Sequence, residues 1–249
     1  MEKSNNYYIK TNRAFSHIRK YGWIITVLIA IGGQWEPKLG LTVVLIMAGL
    51  TITAFFNGRY WCGNFCPHGS LFDTIILPVT RNKKIPDLFK SKVMIIGFFA
   101  IFMVNFMRRI LSVSQYWGTY DFFDKLGYLF SSTYLIVLIV GGILATLINP
   151  RTWCQFCPMG TLQKLAYKLG KAIGITKKTE KKITISSQEK CYKCGKCAKV
   201  CPFQLAPYLE FSNENKFDNI NCIKCSTCVA NCPAGILSLK NGNETEKVS

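Results

Sequence analysis

The chain has 249 residues, twelve cysteines and only two histidines, and 31 basic against 13 acidic residues give it a formal net charge of +18. Charge on that scale belongs either to a nucleic-acid surface or to the cytoplasmic edge of a membrane protein, and two histidines argue against a bis-histidine haem. The mean hydropathy of +0.19 comes almost wholly from the part before residue 150, so the sequence divides into two unlike parts, not one uniform core.

Residues 1–20 form a basic arm with Lys3, Lys10, Arg13, Arg19 and Lys20 against Glu2 alone. Apolar segments follow at about 21–35, 39–57, 93–111 and 128–148. The second and fourth have the roughly 20-residue length that crosses a bilayer as a helix. The first is short and ends at Gly32, Gly33 and Pro37, which leaves open a span or a buried hairpin with the second; it lacks the small-residue cleavage site of a signal peptide. The arm, the stretch 58–92 and the stretch 149–190 carry five, six and nine Lys or Arg, whereas 36–38 and 108–127 carry one and three. That asymmetry predicts a multi-pass inner-membrane protein with four crossings and both termini cytoplasmic. Arg108 and Arg109, near the outer end of the third segment, are expected to snorkel to headgroups. No nucleic acid is needed to explain the charge.

Two blocks repeat within the membrane half. Arg59, Trp61, Cys62, Phe65, Cys66, Pro67 and Gly69 match Arg151, Trp153, Cys154, Phe156, Cys157, Pro158 and Gly160, with spacings CxxxCP and CxxCP. Each block follows a spanning segment, so the membrane domain reads as a duplicated helix pair. Cys62, Cys66, Cys154 and Cys157 would then meet at one membrane face, where they could hold a third metal centre, cycle as dithiols or be buried cysteines at helix ends. His68 and Met159 follow each Cys-Pro at matching places and would complete a soft set suited to Cu(I), although ordinary packing explains either one alone.

The stretch 72–92, with Arg81, Lys83, Lys84, Lys90 and Lys92, is expected against anionic lipid. In 112–127, Tyr116, Trp117, Tyr120, Phe122 and Phe123 beside Asp121 and Asp124 read as an aromatic belt or as the frame of a quinone pocket. Residues 163–182 read as an amphipathic helix on the inner membrane surface followed by a charged linker. Short strands are predicted at 183–186 and 236–239.

Between those strands CYKCGKCAKVCP at 191–202 recurs as CIKCSTCVANCP at 222–233, each cysteine 31 positions later. CxxCxxCxxxCP is the bacterial ferredoxin run, in which three cysteines hold one [4Fe-4S] cluster and the fourth reaches to the other. Cys191, Cys194, Cys197 and Cys232 are therefore assigned to one cluster, and Cys222, Cys225, Cys228 and Cys201 to a second. Zinc would use CxxC pairs but needs neither the terminal Cys-Pro nor the in-register duplication, and disulfides do not suit a reducing cytosol. Lys190, Lys193, Lys196, Lys199 and Lys224 around these loops either steer an acidic electron donor or hold the domain on lipid.

Taken together, RYWCGNFCPHG, RTWCQFCPMG and the double ferredoxin run resemble the NapH and MauN type of membrane polyferredoxin, related to the membrane parts of NosR and CcoG. The resemblance implies electron transfer at the inner membrane, with quinol oxidation, electron supply to copper enzymes or Cu(II) reduction as the family's roles, and it matches Cys62, Cys66, Cys154 and Cys157 to the family's membrane-edge cysteines. The expected architecture is an α-helical membrane domain of four internally duplicated transmembrane helices at 21–162, then 163–182, an α+β two-cluster ferredoxin domain at 183–241 and a tail at 242–249. The expected function is electron transfer between a quinol or other membrane or periplasmic partner and a cytosolic redox carrier, as a subunit of a complex. A copper-handling or maturation factor and a redox sensor are the alternatives from other classes.

Overall fold

The computed structural model describes residues 8–241; Lys3 of the basic arm and the tail 242–249 lie outside them. Among the described residues, three elements are long and apolar enough to cross a membrane: Pro37–Asn57, Lys92–Ser114 and Asp121–Leu147. The first of these begins with a 3-10 turn, Pro37–Leu41, and continues as a helix Thr42–Asn57.

The expected fourth crossing is not a helix of that length. After α1 (His17–Tyr21) the chain forms α2 (Trp23–Ala30), eight residues and so about 12 Å of helix. The pair Gly32–Gly33 then passes into a 3-10 turn, because glycine loses the most backbone entropy in a helix. The freed carbonyls find side chains instead. Gln34 Nε2 donates to the Ala30 carbonyl at 3.1 Å and to Ser131 Oγ at 2.9 Å, and Ser131 Oγ donates to the Ile29 carbonyl at 2.8 Å. Segment 21–35 is thus the hairpin partner of α3 (Thr42–Asn57), with Ile29, Val43, Leu129 and Phe130 sharing a core.

The two cysteine blocks fold alike. After α3 come α4 (Tyr60–Asn64) and α5 (Pro67–Leu71); after α6 (Lys92–Ser114) and α7 (Asp121–Leu147) come α8 (Thr152–Phe156) and α9 (Pro158–Ala172). In each block the cysteine before the proline is extended, ψ 119° at Cys66 and 128° at Cys157, since proline disfavours the helical region for its predecessor. Pro67 and Pro158 then open the next helix, where a missing N–H costs nothing. Beyond α5 the helix widens into a π-helical turn at Phe72–Ile76 that carries Asp73.

The 163–182 segment is not simply laid on a surface: α9 buries Gln163, Ala166, Tyr167 and Gly170 in the protein while Leu165, Leu169 and Ile173 stay exposed. In the 72–92 loop the main chain is clamped by protein, with Lys83 N donating to the Ile148 carbonyl at 2.7 Å and Asn149 Nδ2 to Asn82 Oδ1 at 2.9 Å. Of the aromatics of 112–127, Trp117 is 78% and Tyr120 fully exposed, the disposition of a belt, whereas Tyr116 lines an open cleft with Asp121 and Asp124.

After α10 (Thr176–Thr179) the C-terminal part carries a three-stranded antiparallel sheet of order β2-β1-β3, from β1 (Lys181–Ile185), β2 (Lys216–Phe217) and β3 (Leu237–Asn241), with Ile183 opposite Leu239. The strands expected at 183–186 and 236–239 therefore pair with each other. Between them lie α11 (Lys196–Lys199) and α12 (Thr227–Ala230), 31 positions apart like the cysteine runs.

Candidate iron-sulfur centres

The ferredoxin runs share one loop conformation. Lys193 and Gly195 in the first run, and Lys224 and Ser226 in the second, have left-handed backbones with φ of 48°, 70°, 54° and 58°. Left-handed residues between helical and extended ones turn successive N–H groups to one side, a concave arrangement suited to anions.

Each loop closes over a cavity. One is lined by Cys191, Cys194, Cys197 and Cys232; the other by Cys201, Cys222, Cys225 and Cys228. Each therefore draws three thiols from one run and the fourth from the other. Burial and neighbouring thiols push Cys201 up to about 12, and burial pushes Cys222 up to about 11, so these thiols stay protonated at neutral pH unless a cation replaces the proton.

The four membrane-edge cysteines also meet. Cys62, Cys66, Cys154 and Cys157 line a single cavity of about 120 Å³ together with His68 and Met159. Cys62 and Cys154 are buried, and burial with the nearby thiols raises Cys66, Cys154 and Cys157, the last to about 12. Gln163 Nε2 donates to Cys62 Sγ at 3.1 Å and Arg151 Nη1 to Cys154 Sγ at 3.5 Å. Several buried donors on the same walls have no partner: Trp61 Nε1, Trp153 Nε1, and Arg59 Nε and Nη1. Indole and guanidinium nitrogens only donate, so what they lack is an acceptor. His17 lines none of these three cavities.

Single-ion chemistry fits less well. A four-thiolate zinc site, with Zn–S of about 2.3 Å, needs its sulfurs drawn tightly together. Among the described residues no group of three or more His, Cys, Asp or Glu is gathered closely enough to hold a metal ion. The thiols of each set instead line one shared cavity, which suits a larger group bridging them.

The surroundings of the thiols include residues the sequence reading misplaced. Arg13 and Arg19 are not charges on a basic arm. They are buried against Asp73 with Arg151, whose Nε and Nη2 donate to the two Asp73 oxygens at 3.2 and 2.5 Å; Arg13 Nη1 lies 3.4 Å from Oδ1, and Arg19 Nη2 pairs with Oδ2. Lys224, expected on the surface, is 6% exposed and pairs with Glu180 at 3.0 Å. Lys190, Lys193 and Lys196 are exposed as expected.

The two kinds of site are joined by packing. Cys62, Cys154, Trp153 and Phe156 form one buried core with Phe203 and Ile223 of the C-terminal part, and Cys157, Cys201 and Cys225 pack against it. Gly63 permits that contact: a Cβ there would stand 2.0 Å from the Ile223 carbonyl.

Family models for 4Fe-4S binding match both parts of the chain. The model described as a 4Fe-4S binding domain matches residues 39–86 and 132–176, and that of a 4Fe-4S dicluster domain matches 190–237. The chain carries 4Fe-4S binding domains. The first match contains Cys62, Cys66, Cys154 and Cys157, and the second all eight ferredoxin cysteines. Among whole proteins, the chain is 27% identical over 192 residues to an uncharacterized protein of Methanocaldococcus jannaschii, covering 75% of this chain and 66% of that one. It is 25% identical over 218 residues to YccM of Escherichia coli, provisionally named for electron transport, covering 79% and 55%. A 77-residue stretch is 36% identical to one component of an ion-translocating oxidoreductase complex from Buchnera aphidicola, 28% of this chain and 16% of that component. The chain thus spans about two-thirds or less of the length of these relatives. No solved structure matches it.

Proposed function

We propose that the protein is a membrane-bound iron-sulfur electron-transfer subunit, passing single electrons between a cytosolic carrier and a quinol or other membrane or periplasmic partner. The observation that carries this reading is the shared core: membrane-edge thiols and ferredoxin thiols pack against the same buried side chains. A redox sensor would not need its soluble cysteines joined to those at the membrane.

In this reading Cys191, Cys194, Cys197 and Cys232 hold one cluster, Cys222, Cys225, Cys228 and Cys201 a second, and Cys62, Cys66, Cys154 and Cys157 a third. Such clusters supply one-electron redox chemistry at potentials tuned by charge, hydrogen bonds and exposure. The chain's own residues supply the rest. Cys194 and Tyr192 are exposed beside the first cavity, which offers a soluble partner access there. Phe203, Ile223 and Trp153 exclude water between the second and third sets. The membrane-edge cavity continues past its thiols between Val43, Met47, Phe102, Phe106 and Phe130 of the spanning helices, an apolar volume that supports a lipophilic partner. Both termini belong, on this reading, to the cytoplasm, where thiols stay reduced.

The test is anaerobic purification of the full chain with iron and sulfide analysis, beside a variant with Cys62, Cys66, Cys154 and Cys157 replaced by serine. The reading expects about twelve irons per chain falling to about eight. Eight in both would remove the third centre, and copper in place of iron at the membrane edge would favour metal handling.

A further inference from the structure

Three arginines, Arg19, Arg59 and Arg151, reach the membrane-edge cysteine blocks, and a fourth, Arg13, joins them through Asp73. Arg13, Arg19, Arg59 and Arg151 are each at most 2% exposed, and Asp73, 4% exposed, is the one acid among them. They come from three separate stretches of chain, so no local pattern requires them together. Arg19 Nη1 donates to the Cys66 carbonyl at 3.3 Å, Arg59 Nη2 to the Cys154 carbonyl at 2.9 Å, and Arg151 Nη1 to the Cys62 carbonyl at 3.3 Å. Among the described residues, one carboxylate for four guanidiniums leaves three buried positive charges without a counter-charge. Leaving even one buried charge unpaired is strongly destabilising, so the fold needs an anion in this place. A thiol in its neutral form does not supply it.

A ligated cluster can. Coordination removes the thiol protons outright, and four thiolates outweigh the positive charge of an iron–sulfide core, so the centre as a whole is an anion. Positive charge held at contact distance favours whichever state carries more negative charge. Adding one electron from an external reductant adds one negative charge, with no bond made or broken. We propose that Arg13, Arg19, Arg59 and Arg151, opposed by Asp73 alone, make the membrane-edge centre the most easily reduced of the three.

The contrast with the ferredoxin sites supports the asymmetry. There the buried Lys224 is matched by Glu180 at 3.0 Å, and Lys190, Lys193 and Lys196 are exposed, where water and salt screen them. The inference rests on the reading of the four membrane-edge cysteines as a cluster site.

The experiment is a redox titration of the full chain with dithionite, followed by electron paramagnetic resonance, on wild type, Arg59→Gln, Arg59→Lys and Arg13→Gln, with iron counted in each. Wild type should show the signal lost on serine substitution of the membrane-edge cysteines reducing at the highest potential. Arg59→Gln and Arg13→Gln should lower that potential by at least a tenfold change in the reduction equilibrium, about 59 mV for one electron, and leave the signal of the Cys191, Cys194, Cys197 and Cys232 site in place. Arg59→Lys keeps the charge and should stay near wild type. With the third centre present by iron count, a wild-type potential at or below the other two, or neutral variants that do not shift it, overturns the inference while sparing the conduit. Absence of the third centre by iron count removes the reading beneath it.

Discussion

Arg59 Nη2 donates to the main-chain oxygen of Cys154 at 2.9 Å, across 95 positions of sequence. The matching arginine of the second block returns the contact, Arg151 Nη1 reaching the Cys62 carbonyl at 3.3 Å. The exchange extends to the glycines: a Cβ on Gly160 would lie 2.9 Å from Arg59 Nη2, and one on Gly69 would lie 2.8 Å from Arg151 Nη1. Each block therefore leaves room for the arginine of the other, and the repeated RxWC and FCPxG patterns are two halves of one lock.

Gly160→Ala should break that lock. Overpacking of a close-packed interior costs about 1–3 kcal/mol, and the group that must move is the guanidinium facing the thiols. The expected outcome is loss of about four irons per chain with both ferredoxin signals intact, read by iron analysis and electron paramagnetic resonance. Full iron content in Gly160→Ala would show that the glycine does not set the arginine's place.

The ferredoxin runs were legible because their information is local: twelve residues with a fixed spacing, written twice. The arginine cage was not, because Arg13 and Arg19 sit in a polar arm whose charges satisfy a topology rule without any tertiary contact. One signal was available. Asp73 is the one acid in the 50 residues from Pro37 to Pro86, set in the apolar run LFDTIIL, and a lone carboxylate there needs buried cations. The extent of the first apolar helix was not legible either, since composition at 21–35 records apolarity but not the end of α2 at Ala30, which the Gly32–Gly33 pair and the hydrogen bonds of Gln34 and Ser131 impose.

Lys193→Glu with Lys196→Glu tests access to the outer ferredoxin site. Both side chains are exposed beside the cavity of Cys191, Cys194, Cys197 and Cys232, and like-signed fields slow the approach of a charged partner. Reduction by an acidic flavodoxin or ferredoxin, followed by stopped flow, should slow about tenfold or more at low salt, with the difference shrinking as ionic strength rises. Equal rates at all salt concentrations would assign these lysines to lipid.

Glu180→Ala should weaken the dicluster part. Glu180 Oε1 accepts from Lys224 Nζ at 3.0 Å and from Tyr167 OH at 2.8 Å, and Lys224 sits between Cys222 and Cys225. Removing one member of a buried pair strands the other, at a cost of about 3–5 kcal/mol. The variant should bleach faster in air than wild type and lose its dicluster absorbance at lower denaturant. Replacing both residues, Glu180→Gln with Lys224→Met, should recover part of that loss, because no charge is left unpaired.

Iron removal should be accompanied by proton uptake, and the sign follows from the thiols. Cys201, Cys222 and Cys157 are pushed up to about 12, 11 and 12, chiefly by burial, so each is a thiolate at neutral pH only while metal holds it. Stripping the metal with an anaerobic chelator in weakly buffered solution at pH 7 should therefore raise the pH, after correction for protons released by the chelator itself. The membrane-edge site adds a second consequence, because Arg13, Arg19, Arg59 and Arg151 lose the anion that balances them while Asp73 remains their one acid. Hydrogen exchange of the stripped chain should then show the amides of residues 13–21 opening early, since that segment is tied to the site through Arg13 and Arg19. If those amides keep their holo-protein protection after iron is gone, the arginines are balanced without a cluster and the thiols at the membrane edge are packing alone.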